Sequence, residues 1–173
     1  VTDSLPAIAI GLEKSEKNIM NRLPRNPQKS LFADGLWSSI ILEGIMMGML
    51  TLFAFSMGNK LWGLDVGRTM AFVAIGLIEL VHSLNIKSNE SIFKSGIFEN
   101  KYLVGAFVLG AFMQIVVVIV PGLAKIFSLS PLNSIQWIAT ILISVMPVVI
   151  MELQKMLRGT RVNFVDLKSE RIG

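Results

Sequence analysis

The 173 residues are 53% apolar and only 16% charged, with a net charge of +4 and a mean hydropathy of +0.64. Soluble domains carry about a quarter charged residues, so this chain is too poor in polar surface for a water-soluble protein. Coiled coils and disordered tails, both charge-rich, are excluded, and a disulfide-stapled secreted domain is excluded by the absence of cysteine.

The opening VTDSLPAIAIGL is apolar, but twelve residues of helix reach about 18 Å across a hydrocarbon core of roughly 30 Å. It carries no basic leader region and no small-residue cleavage site. It reads as the second half of a membrane helix, residues 1–12, in a piece of a longer polypeptide. A polar stretch with Pro24 and Pro27 follows, predicting an irregular loop over 13–35. Four runs then reach the length of a membrane span: 36–57, 66–86, 102–120 and 135–154, the last expected to be interrupted by Pro147. The links at 59–68 and 121–134 hold Gly and Pro and are expected to be tight. Because backbone groups in lipid must be satisfied within the segment, the runs are helices. The expected fold is an all-α membrane protein, half a transmembrane helix followed by four full transmembrane helices in a bundle, with a tail over 155–173.

The basic residues set the orientation. Lys14, Lys17, Arg22, Arg25 and Lys29 precede the first full span; Lys87, Lys94 and Lys101 lie between the second and third; Lys155, Arg158, Arg161, Lys168 and Arg171 follow the fourth. These alternate connections, 13–35, 86–101 and the tail, are therefore predicted to be cytoplasmic. With the charges placed this way, no basic stripe interleaved with aromatics is left for a nucleic acid.

A charge at the bilayer centre costs about 2.5–3.5 kcal/mol on insertion scales, so the carboxylates in the runs single themselves out. Asp3 stands between Thr2 and Ser4, with Pro6 three residues on. A proline donates no hydrogen bond four residues back and crowds that turn, so the helix is expected to be kinked or unwound near Thr2–Asp3. Freed carbonyls, a hydroxyl and a carboxylate are the oxygen donors that hard cations take; a proline kink beside a water-filled crevice is the alternative. Glu79 shares a helical face with Gly76, His82 and Ser83, a polar stripe that must face protein. A Glu-x-x-His pair occurs in di-iron sites, but the second such pair is missing, and His82 reads as a supporting hydrogen-bonding group. Glu43 and Glu152 read as structural, Glu43 pairing with a neighbouring helix and Glu152 forming a boundary salt bridge with Lys155 or Arg158. No phosphate loop, nucleophile constellation or zinc spacing occurs, so no catalytic and no cofactor-binding residue is assigned.

The string VTDSLPAIAIGLEKSEKNIMNRLPR resembles the sixth transmembrane helix and following loop of P-type cation-transporting ATPases, with the pattern T-D-x-x-P-A, an acidic stretch, I-M and Pro-Arg. IELVHSLNIKSNESIF is similar to the eighth helix and its exit in the reticulum calcium pumps and their bacterial relatives, and MPVVIMELQKMLR is similar to the end of the tenth. The resemblance covers the whole chain. It implies that Thr2, Asp3 and Glu79 are metal ligands and that calcium is the transported ion. It further implies an ATP-driven pump using magnesium, whose phosphorylated Asp and nucleotide domain lie in the remainder of the same polypeptide. His82 departs from the reticulum pump, which has Asn there. The lipid bilayer is the other expected partner, in the plasma membrane and with a cytoplasmic C-terminus. Sodium, potassium or proton pumps of the same family remain the alternatives, as does a self-contained channel or assembly subunit.

Overall fold

A computed structural model describes residues 4–12, 36–86 and 100–169. They form α1 (Ser4–Gly11), α2 (Leu36–Trp62), α3 (Leu64–Ile86), α4 (Lys101–Ile119), α5 (Pro121–Ile126) and α6 (Ser134–Ser169), with no strand among the described residues. Stretches of α2, α4 and α6, namely Trp37–Trp62, Lys101–Ile119 and Ser134–Gln154, are long and apolar enough to cross a membrane. Much of their apolar surface is bare: Leu42, Met49, Leu52, Phe112, Ile138 and Leu142 are all exposed. The fold is an all-α membrane bundle.

The α2–α3 link is shorter than the hydropathy implies. Instead of a loop over 59–68, α2 runs on to Trp62 and α3 starts at Leu64, leaving Gly63 alone between them at φ +98°. That φ is left-handed and suits glycine, so two helices can be joined by one residue. The hairpin it closes is tight. A Cβ at Gly58 would stand 2.8 Å from Gly67 Cα, and one at Gly67 would stand 2.8 Å from both Asn59 N and Phe55 O. Small residues of this kind let helix backbones approach without a hydrophobic drive from water. Gly67→Ala should therefore lower stability by about 1–3 kcal/mol through overpacking against unyielding backbone. Gly48→Ala, where a Cβ meets nothing within 4 Å, should be neutral or slightly stabilising. Thermal unfolding of the two variants checks the pair.

α3 is the centre of the bundle, packed against α2, α4 and α6. Its apolar side chains Val73, Ala74, Ile78 and Leu80 are buried as fully as its polar Thr69. The α3–α4 contact is built around a polar group. Gln114 Nε2 donates to the Phe72 carbonyl at 2.8 Å, and a Cβ at Gly76, one turn further along, would collide with the Gln114 amide. Glycine at 76 keeps that carbonyl reachable, so the strongly polar side chain of α4 is satisfied where water is absent. Gly110 similarly leaves room for Leu80.

α6 faces the bundle with a seam of Gln136, Thr140, Ser144 and Pro147, all buried. The hydroxyls bond back into their own helix, Thr140 to the Gln136 carbonyl at 2.7 Å and Ser144 to the Thr140 carbonyl at 2.8 Å. They are thus satisfied without solvent and keep the contact face narrow. Two outcomes differ from the sequence expectation. Helix α6 passes through Pro147 without interruption and continues to Ser169, although its apolar stretch of spanning length, Ser134–Gln154, ends where the predicted span does. The 121–134 link also contains a helical turn, α5, opened by Pro121 where a missing N–H costs nothing. Asn133 and Gln136 form a reciprocal capping box at the start of α6, each side-chain oxygen accepting from the other's backbone N–H at 2.8–2.9 Å. Thr69 Oγ1 accepts from Ser130 N at 2.8 Å and so ties the link to α3.

Candidate cation site

Helices α1, α2 and α3 line an open cleft of about 440 Å³. Pro6, Ala7 and Ile10 of α1 form one wall, and Ile40, Glu43, Gly44 and Met47 of α2 form another. α3 supplies Glu79, His82 and Ser83, the stripe that the helical spacing singles out. The cleft is thus mostly apolar, with two carboxylates and an imidazole among its lining groups.

Ser83 is held by its own helix and His82 by a neighbouring one. Ser83 Oγ donates to the Leu80 carbonyl at 2.7 Å, which points its hydroxyl proton back into α3. His82 is buried, and its Nε2 lies 3.3 Å from Glu43 Oε2 across the hairpin, while its Nδ1 is buried without a hydrogen-bond partner. The Glu43 contact favours the tautomer with the proton on Nε2, leaving Nδ1 as a bare acceptor. Glu43 thus pairs with a neighbouring helix, as its depth in the first full span predicts. The hairpin explains why this partner is His82. Gly58 opposes Gly67 near the tip, and counting back equally along both antiparallel helices brings 43 opposite 82. That register holds for roughly 22 Å at about 1.5 Å per residue.

Of the three sequence-predicted ligands, Glu79 lies in the cleft, partly buried, on the α3 face that also carries Ser83. Thr2 and Asp3, and the unwinding expected beside them, lie outside the described residues. The described part of α1 is regular helix through Pro6. No cluster of three or more His, Cys, Asp or Glu with metal-holding geometry occurs among the described residues, so Glu43, Glu79 and His82 do not form a metal centre by themselves. Sequence reasoning placed Glu43 on a separate structural footing. Its presence in the same cleft as Glu79 becomes visible only from the hairpin register.

Residues 1–157 match the sequence profile of the family described as cation transporting ATPase, C-terminus. The chain belongs to this family. It is 36% identical over 174 residues to calcium-transporting ATPase 1 of Bacillus cereus, a match covering 90% of this chain and 20% of that protein. It is 32% identical over 149 residues to the calcium-transporting ATPase of Bacillus subtilis, covering 85% and 17%, and 32% identical over 161 residues to one of Listeria monocytogenes, covering 92% and 18%. The chain therefore spans about a fifth of the length of these relatives. As a cation-transporting ATPase C-terminal domain with three apolar helices of spanning length, it is an integral, multi-pass membrane protein.

Proposed function

We propose that this cation ATPase C-terminal domain supplies part of the intramembrane ion site of an ATP-driven calcium pump. The observation that carries the reading is Glu79, an acidic side chain in a cleft otherwise lined mainly by apolar groups and bounded by the helix that follows Thr2–Asp3. An acidic side chain between apolar helices of a membrane bundle is a group of the kind that forms ion pathways and ion sites. The names of the similar proteins, all calcium-transporting ATPases, support calcium as the ion.

In this reading Thr2, Asp3 and Glu79 contribute oxygen ligands, matched to a hard divalent ion that takes six to eight oxygens. The carboxylate charge offsets the loss of the ion's hydration shell. ATP and magnesium act elsewhere in the same polypeptide, where an Asp is phosphorylated, and α3 crosses the bilayer as a fourth full span. ATPase activity of the full-length protein should be activated by micromolar calcium and not by sodium or potassium. Activation by a monovalent cation alone assigns a different cargo within the family.

The same reading places the protein in the plasma membrane with 13–35, 86–101 and the tail in the cytoplasm, supported by the alternation of Lys and Arg along the chain. A cysteine at Asn59, exposed near the end of α2, should react with an impermeant thiol reagent added outside intact cells. A cysteine at Asn26 should react only after the cells are opened. The reverse pattern inverts the topology.

A further inference from the structure

Asn100 joins two helices that are far apart in the sequence. Its Oδ1 accepts the Leu103 N–H at 3.0 Å and so caps the start of α4, while its Nδ2 donates to the Ala9 carbonyl of α1 at 2.9 Å. The residue is only 5% exposed, and Ala9 is 4% exposed. Ala9 lies in the last turn of α1, and its carbonyl accepts both the Leu12 N–H at 3.2 Å and the Asn100 amide. Leu5, Ile10, Leu84, Leu103 and Ala106 pack around this point, closing it to solvent. α1 also presents Pro6, Ala7 and Ile10 to the cleft that holds Glu79, with Ile10 shared between the two contacts.

We infer that Asn100 is a positioning residue for the cation site: its amide fixes the end of α1 and thereby sets the α1 wall against Glu79. Capping α4 does not require an amide, since Asp or Ser caps a helix as well as Asn. The side-chain N–H₂ is the part of Asn100 that an Asp cap lacks, and it is the part that reaches α1. Without it, the Ala9 carbonyl keeps only the longer bond from Leu12 N–H, and the hydrogen bond that ties the end of α1 to the start of α4 is lost, so α1 is free to shift.

The inference rests on the calcium reading above, and the test separates the two. In the full-length pump, Asn100→Asp keeps the cap of α4 but sets a carboxylate oxygen against the Ala9 carbonyl. Equilibrium calcium binding should show a dissociation constant about tenfold higher, with the number of ions bound per pump unchanged. Asn133→Asp, which alters only the capping box of α6, should bind calcium like the wild type. Asn100→Ser, which keeps a capping oxygen but is too short to reach both partners, should reproduce the weakened affinity. Wild-type affinity in a folded Asn100→Asp pump overturns the inference, because a purely structural cap lowers the unfolding temperature without moving the calcium constant. Failure of both Asn100 variants to fold overturns it equally, making Asn100 a folding residue. A wild-type pump that binds no calcium overturns the calcium reading itself.

Discussion

Asp3→Asn in the full-length pump is expected to abolish calcium-activated phosphorylation by ATP. The substitution keeps the size and much of the hydrogen bonding of the side chain and removes only its charge. Removing one partner of a buried charge pair costs about 3–5 kcal/mol, which is a factor of roughly 10² to 10⁴ in affinity. A divalent ion stripped of water leans on carboxylate charge at least as heavily as a buried ion pair does. Calcium that activated the wild type at micromolar levels should then fail to activate the variant at submillimolar levels. Near-normal activation would remove Asp3 from the ligand set. It would leave the Thr2–Asp3 motif as a proline-kinked helix segment and no more.

The second large effect is expected at Glu79, and here the cleft permits a comparison between two carboxylates. Glu79→Gln should lower the calcium bound per pump while Asp3 still supports a weaker site. Glu43→Gln should leave the calcium bound per pump unchanged. Its amide oxygen can still accept from His82 Nε2, so only the difference between a charged and a neutral hydrogen bond is lost, about 1 kcal/mol of stability. Equilibrium calcium binding together with thermal unfolding of both variants distinguishes the roles. A folded Glu79→Gln pump that binds as much calcium as the wild type, at the same affinity, makes Glu79 a packing residue like Glu43. Loss of stoichiometry in Glu43→Gln instead adds a second acid of the cleft to the ion site.

The apolar runs are legible in the sequence because the bilayer imposes a length: Leu36 to Met57 falls within α2, and Tyr102 to Val120 coincides with α4 up to its C-cap, Val120. The ends of the helices are less legible. Hydropathy falls at Asn59 and Lys60 and suggests a loop, yet the backbone stays helical to Trp62, because one glycine suffices to reverse direction. Pro147 suggests an interruption for a similar reason, while the packing of its buried neighbours carries the helix through it. The polar stripe of α3 is legible from its three- and four-residue spacing. The partners of that stripe are not, since spacing within one helix says nothing about which residue faces it. The Glu43–His82 contact follows once the hairpin tip is known to be a single residue. Asn100 carries a cap signature in the sequence, a small polar side chain just ahead of an apolar run. The amide's second bond, to Ala9, has no local signal, because its partner lies in another helix 91 residues away.

The one-residue turn at Gly63 also bears on the order in which the bundle assembles. Once α2 and α3 have both left the ribosome, closing each contact between them enlarges a loop that is already nearly closed. The pairing can therefore propagate from the Gly58–Gly67 tip toward Glu43–His82 with little further loss of chain entropy. The contacts of α3 with α6 involve far greater sequence separation and come last during synthesis. Until α6 arrives, the most central helix of the mature bundle has one face without its permanent neighbour. The α2–α3 hairpin can thus pair before α6 is made, and the seam of Gln136, Thr140 and Ser144 is the surface that completes it.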